Sequence, residues 1–151
     1  MTLTVADRLA LTDLVHRYAA GIDETDLDTV VGLFTADGEL VLPDPPDVLT
    51  PVRSHRGPQA LRTALAAATR VGRTHHSIAS EVYRAGVTPD TAHGRIAAQA
   101  HHWSRRDDSI TDLVWYLHYV DDYARADSGW LLARRRLVID AIETRPARRL
   151  R

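Results

Sequence analysis

The chain has no cysteine and no lysine. Without a thiol there can be no disulfide, no thiolate nucleophile and no thiolate metal site. All 19 basic residues are arginine, a bias attributable to a genome rich in G and C and not to function. Long hydrophobic runs are missing too. Nothing approaches the ~20 apolar residues that span a bilayer, and the N-terminus does not show the basic-then-apolar order of a signal peptide. A cytoplasmic protein without a membrane partner is expected. The formal net charge is -1 and no basic run occurs in the middle of the chain, so nucleic acid is not an expected partner. Neither an HExxH helix nor a cysteine-based ligand pattern is present, and the reading carries no metal and no cofactor.

What remains is an ordinary globular balance, 44% hydrophobic and 26% charged over 151 residues, enough for one domain with a single core. Leu11, Leu14, Val15, Tyr18, Ala19 and Ile22 fall on one helical stripe that must face that core. Thr4 with Asp7 has the spacing of an N-cap and its acidic third position, which predicts a helix from near Val5 to near Ile22. Asp23 follows the stripe at the negative end of the helix dipole, so its carboxylate needs solvent or a partner. Thr25 or Asp26 predicts the cap of a shorter second helix carrying Leu27, Val30, Val31 and Phe34. A turn at 36–38 and a short strand at 39–42 follow. The proline-dense segment 43–57 predicts an irregular surface loop able to act as a lid. Pro58 then opens an alanine-rich third helix that ends before Gly72.

Beyond Gly72 the period changes from helical to alternating. Four strands are predicted, at 74–85, 91–105, 110–125 and 130–143, joined by turn-like VTPD, RDDS and ADSG, with a frayed tail PARRLR. Consecutive antiparallel hairpins follow. Strands this long predict a strongly curved sheet wrapped over the helices. The fold class is therefore α+β, with three N-terminal helices packed on a curved antiparallel, mixed-edge sheet, and the open end of such a cone makes a pocket.

Histidine is the unusual component: eight residues, with His75, His76, His101, His102 and His118 all in predicted strands. Neighbours in a strand point to opposite faces, so only one of each HisHis pair faces the helices, which argues against a chelating pair. The strand from Thr91 carries His93, Arg95, Ala97, Gln99, His101 and Trp103 on one face. That face reads either as the solvent side or as a wet pocket. In the next strand both Val114, Tyr116, His118, Val120 and Leu113, Trp115, Leu117, Tyr119 are largely apolar, so it is central or at a dimer interface. A histidine facing an acid in an apolar cavity is a general acid/base unit, because the carboxylate fixes the tautomer and balances the imidazolium charge. Tyr18 adds a hydroxyl able to bind a carbonyl or enolate oxygen. The plainer alternatives are a core aromatic at 18 and a loop starter at 23.

The run YAAGIDETDLDTVVGLFTADGEL resembles the SnoaL-like, nuclear-transport-factor-2-like superfamily, in which a helix bearing Tyr is followed by an Asp five residues on, then D-hydrophobic-D, then Phe-Thr-x-Asp. Tyr18, Asp23, Asp26, Asp28, Phe34, Thr35 and Asp37 fit. THHSI resembles the strand start that carries the catalytic histidine of scytalone dehydratase and its bacterial relatives, at the position of His76. The resemblance implies a cone-shaped α+β barrel, a homodimer through the sheet, and a deep apolar pocket for a small hydrophobic molecule. It also implies an Asp-His dyad acting in elimination of water next to a carbonyl, with Tyr18 and Asp23 matching the bile-acid dehydratase type. A second polar residue on the following strand corresponds to His101 or His102. Ile22 stands where the scytalone enzyme has a further Tyr, so an identical substrate is not implied.

The expected catalytic set is Asp23, His76, Tyr18 and His101, and the expected substrate-binding set is Tyr116, His118, Trp103, His102 and Phe34. The expected activity is a dehydratase, lyase or isomerase reaction on a polycyclic or polyketide-like metabolite of secondary metabolism. Two other readings stand beside it: an aldol cyclase, or a module that binds a ligand or dimerises without turnover.

Overall fold

The computed structural model describes residues 2–151. Helix α1 spans Val5–Glu24, and its start is the predicted capping box: the Thr4 hydroxyl accepts from the Asp7 N–H while the Asp7 carboxylate accepts from the Thr4 N–H. It closes at Thr25, which takes the left-handed conformation. Asp26 caps the short helix α2 (Leu27–Gly32) by accepting from the Thr29 N–H at 3.1 Å. Phe34 does not continue that helix, as its spacing suggested, but opens strand β1 (Phe34–Asp44), and residues 36–38 lie inside the strand. Gly38 is obligatory there, because a Cβ would stand 2.8 Å from that of Phe34.

The predicted loop at 43–57 is instead mostly strand β2 (Val48–Arg56), paired antiparallel with β1 from Glu39↔Arg56 to Asp44↔Val48. The prolines misled because β2 is an edge strand bonded to β1 alone, so the missing N–H of Pro51 costs no interior ladder bond. Helix α3 runs Pro58–Ala68, with proline in its first turn, and passes through a 3-10 turn at Thr69–Val71. The four long strands follow as β3 (Arg73–Ala85), β4 (Thr91–Arg106), β5 (Ser109–Ala126) and β6 (Gly129–Ala147). Strand β6 therefore takes in Pro146 and Ala147 of the segment read as tail.

The six strands form one open, mixed sheet in the order β2-β1-β6-β5-β4-β3, antiparallel except for the parallel β1–β6 pair. Register shifts bend it. Ala133 and Asp140 are extra residues of β6 opposite β5, between the pairs Tyr123↔Leu132 and Asp122↔Arg134, and between Leu117↔Ile139 and Tyr116↔Ala141. Another shift lies between Ile78 and Ser80 of β3. The apolar stripe of α1 (Leu11, Leu14, Val15, Tyr18, Ile22) joins Ile96, Leu117, Tyr119, Tyr123, Leu132 and Leu137 of the inner sheet face in one buried cluster. Each large aliphatic group so buried contributes on the order of 1.5–3 kcal/mol.

Candidate active site

The strand start of β3 decides where the chemistry sits. Gly72 enters it with a φ of +100°, and a Cβ there would meet the Trp103 carbonyl oxygen at 2.5 Å, so only glycine lets β3 begin against β4 at this point. Two residues on, Thr74 and His76 both face the helices and meet the last turn of α1. The Asp23 carboxylate accepts from the Thr74 hydroxyl at 2.9 Å, from the His76 backbone N–H at 2.8 Å and from His76 Nδ1 at 2.6 Å. These donors offset the dipole of a helix end with no basic residue in its last turn. Burial works to raise the Asp23 pKa, but the His76 ring, the His76 N–H and the Thr74 hydroxyl outweigh it and hold the carboxyl below its ordinary range. With Nδ1–H committed to Asp23, the free nitrogen of His76 is Nε2.

His76 lines an apolar cavity of about 110 Å³, enclosed by Ile22, Leu40, Leu65, Leu117 and Leu137 together with Tyr18, Tyr119, His102 and Trp115. Asp23 stands behind His76 and is not part of the lining. The end of β1 and the β1–β2 turn, in place of the expected lid loop, close one side through Pro43 and Pro45. His102 meets His76 edge-on with ring centres 6.3 Å apart and packs at 4.5 Å from the Trp115 ring. Its Nδ1–H donates to the Leu113 carbonyl at 3.0 Å, leaving Nε2 with a free lone pair. Burial lowers the His102 pKa and the neighbouring His76 adds to that, against the opposing pull of the Leu113 carbonyl, so this imidazole is neutral at pH 7. The cavity thus holds two histidines in unlike states: one backed by a carboxylate, one backed by a neutral carbonyl.

Under the cavity lies a buried charge. Arg135 has no exposed surface, donates to both oxygens of Asp121 at 2.9 and 2.7 Å, and stacks over the rings of Tyr18 and Tyr119 at 4.1 and 4.0 Å. Burial would lower its pKa, but Asp121 more than compensates and keeps the guanidinium charged. Tyr123 completes the group by donating its hydroxyl to Asp121 at 2.6 Å. Burial raises the pKa values of Tyr18 and Tyr119, so both phenols remain protonated donors.

Of the expected residues, the structure brings together Asp23, His76, Tyr18 and His102. It corrects the choice of His101, which points to the opposite sheet face, stacks on Trp103 at 5.2 Å and bonds Asp112 at 2.8 Å. Trp103, Tyr116 and His118 share that outer face and do not line the cavity. Tyr116 is held by Glu143 and Arg145, and His118 by Asp140. The reason is simple alternation: β4 turns Ile96, Ala98, Ala100 and His102 inward, and its more polar face is the outer one. Phe34 is core, edge-on to Tyr18 with centres 6.2 Å apart, and does not line the cavity either.

Sequence reasoning did not nominate Tyr119, Trp115 or Arg135. Tyr119 and Trp115 were recoverable from their alternation with Leu117. Arg135 was not, since the bulge at Ala133 decides which arginine of the run Arg134, Arg135, Arg136 turns inward. Among the described residues no group of three or more His, Cys, Asp or Glu side chains is arranged to hold a metal ion, and no helix is long and apolar enough to cross a membrane.

The profile of the SnoaL-like domain matches residues 3–136. No curated protein matches. Solved structures share the fold. A protein from Novosphingobium aromaticivorans provisionally assigned as a scytalone dehydratase superposes with a TM-score of 0.78 at 18% identity, covering 92% of this chain and 87% of its own. A type 2 hexachlorocyclohexane dehydrochlorinase gives 0.77 at 15% identity, covering 95% and 90%. A Mycobacterium tuberculosis protein of unknown function gives 0.72 at 29% identity, covering 89% and 72%.

Proposed function

The chain belongs to the SnoaL-like domain family, and we propose that it is a cofactor-independent acid/base enzyme that removes a proton next to a carbonyl in a small hydrophobic molecule. The observation that carries this reading is the 2.6 Å bond from His76 Nδ1 to Asp23, with the same ring lining an apolar cavity. His76 Nε2 takes the proton, and Asp23, as a positioning residue, fixes the tautomer and balances the charge the ring gains. The electron pair moves into an enolate, whose oxygen accepts from the Tyr18 and Tyr119 hydroxyls over the positive Arg135. His102, neutral and with a free Nε2, accepts a hydrogen bond from a substrate hydroxyl. In a dehydration the His76 imidazolium returns its proton to that departing hydroxyl, so water leaves and the C=C bond forms. Isomerisation and aldol cyclisation share the first step and differ in where the enolate reacts.

Two neighbours of this fold carry names that fit an elimination, a dehydratase and a dehydrochlorinase, and this supports the same reaction class here. The proposed assembly is a homodimer through the outer sheet face. The test is turnover of a panel of β-hydroxy ketones, followed by loss of substrate and gain of the conjugated enone. His76→Ala and Asp23→Asn are expected to lose about two to four orders of magnitude in kcat while keeping the wild-type circular dichroism. Undiminished rates in both variants would remove the dyad from the mechanism.

A further inference from the structure

The cavity is a slot along β5. Its lining takes alternate residues of that strand, Tyr119, Leu117 and Trp115, a Cα span of about 13 Å at the usual rise per residue. The Tyr119 end is closed, since Tyr18, Tyr119, Leu117 and Leu137 are all buried and belong to the main core cluster. Exposed surface returns among the lining residues at Leu42, Pro45, Ala68 and Trp115. The slot therefore opens between the end of β1, the β1–β2 turn, the end of α3 and the Trp115 indole. That indole packs at 4.5 Å on the His102 ring, and the bulge at Asp140 falls between its level and that of Leu117, so it stands past a bend of the sheet.

The places of the reacting groups decide how much of a molecule fits inside. The phenols that hold the enolate oxygen, Tyr18 and Tyr119, stand at the closed end. The base stands at the other: His76 pairs with Ala100 and Ala100 with Trp115, so base and indole share one level of the sheet. A ring whose oxygen reaches the phenols and whose C–H reaches His76 Nε2 thus fills the slot from its closed end to the indole. The free space agrees, about 110 Å³ against ~150 Å³ for a cavity that takes one benzene ring. A fused second ring would have to displace either close-packed core at the closed end or the Trp115 indole at the open one.

We propose that the substrate presents one six-membered ring to this site and that Trp115 is the residue that excludes larger fused systems. This rests on the reading of the cavity as the substrate site, and it replaces the expected polycyclic class by a monocyclic one.

Phenol and 2-naphthol test it, since both carry one enol-like hydroxyl and differ by a single fused ring. Affinities are read by NMR titration of the isotope-labelled protein, with the amides of Leu117 and Tyr119 reporting occupation of the cavity. The added apolar area alone would make 2-naphthol bind about tenfold tighter. The wild type is expected to reverse that order and favour phenol by about tenfold or more. Trp115→Ala is expected to gain about tenfold or more in affinity for 2-naphthol, while phenol changes by less than about threefold. Trp103→Ala, which removes an indole from the outer sheet face, keeps the order of the wild type. An affinity for 2-naphthol equal to or above that for phenol in the wild type, with Leu117 and Tyr119 shifting, overturns the one-ring limit and leaves the cavity reading intact. That comparison needs no variant to fold. Exclusion of 2-naphthol that persists in Trp115→Ala removes Trp115 from the role assigned to it. If neither compound shifts Leu117 or Tyr119, the cavity reading fails and the proposal with it.

Discussion

Removing Asp121 is the perturbation whose cost can be reasoned most directly from the structure. Asp121 and Arg135 both have no exposed surface, and the carboxylate accepts two bonds from the guanidinium and one from the Tyr123 hydroxyl. Asp121→Ala leaves a buried guanidinium without its counter-charge, a loss of about 3–5 kcal/mol, and an orphaned phenol worth about 1 kcal/mol more. That is a large share of the ~5–15 kcal/mol by which domains of this size are stable. The double variant Asp121→Leu, Arg135→Met removes the charge and its desolvation together, so it should unfold within about 2 kcal/mol of the wild type, the lost stacking on Tyr18 and Tyr119 accounting for most of the difference. Urea unfolding followed by tryptophan fluorescence reads both. With a slope of ~2 kcal/mol per M, the single variant shifts the midpoint down by about 2–3 M and the double by under about 1 M. A single variant within about 0.5 M of the wild type would show that the buried carboxylate is not compensating the arginine. A double variant as unstable as the two single losses added would show that the two residues do not act as a pair.

Two further outcomes follow from the site. The folded pKa of His102 lies below its ordinary value of 6.5, so the unfolded chain binds more protons between the two values. This contribution to stability is complete above pH 6.5 and is lost as pH falls from there through the folded value. Urea midpoints measured from pH 8 to pH 5 should therefore fall less steeply for His102→Phe than for the wild type, and parallel curves would refute the assignment of a neutral, buried imidazole. Gly72→Ala should destabilise by about 1–3 kcal/mol, because the residue combines a φ of +100° with a Cβ position 2.5 Å from the Trp103 oxygen. It should also lower turnover, since β3 can no longer start where it brings Thr74 and His76 to Asp23. A melting temperature equal to the wild type's would contradict this.

The N-terminal half of the site was legible because its signals are local. The capping box at Thr4 and Asp7 and the stripe from Leu11 to Ile22 depend on helical spacing, so they fix where α1 starts and put Tyr18 and Asp23 on its final turns. His76 was legible through both alternation and the likeness of THHSI. The choice between His101 and His102 depended on which face of β4 covers the helices, and the polar face misled, because its histidines are held on the outside by Asp112 and, further along, Asp122. Strand β2 escaped notice for a related reason: whether a proline is tolerable depends on having a neighbour strand on one side only, a property of the sheet and not of the segment.

By itself the sequence determined the α+β class, the order of helices and long strands, and the pairing of a helix-end carboxylate with a strand histidine. The class and the order follow from periodicity, caps and breakers, which act over a few residues, whereas the pairing of Asp23 with His76 was what the family resemblance of THHSI implied. Tertiary structure alone decided that His102 and not His101 joins His76, and that Arg135 and not its neighbours lies beneath Tyr18 and Tyr119. Each of these turns on sheet register, and in a strand a single extra residue such as Ala133 moves every following side chain to the other face.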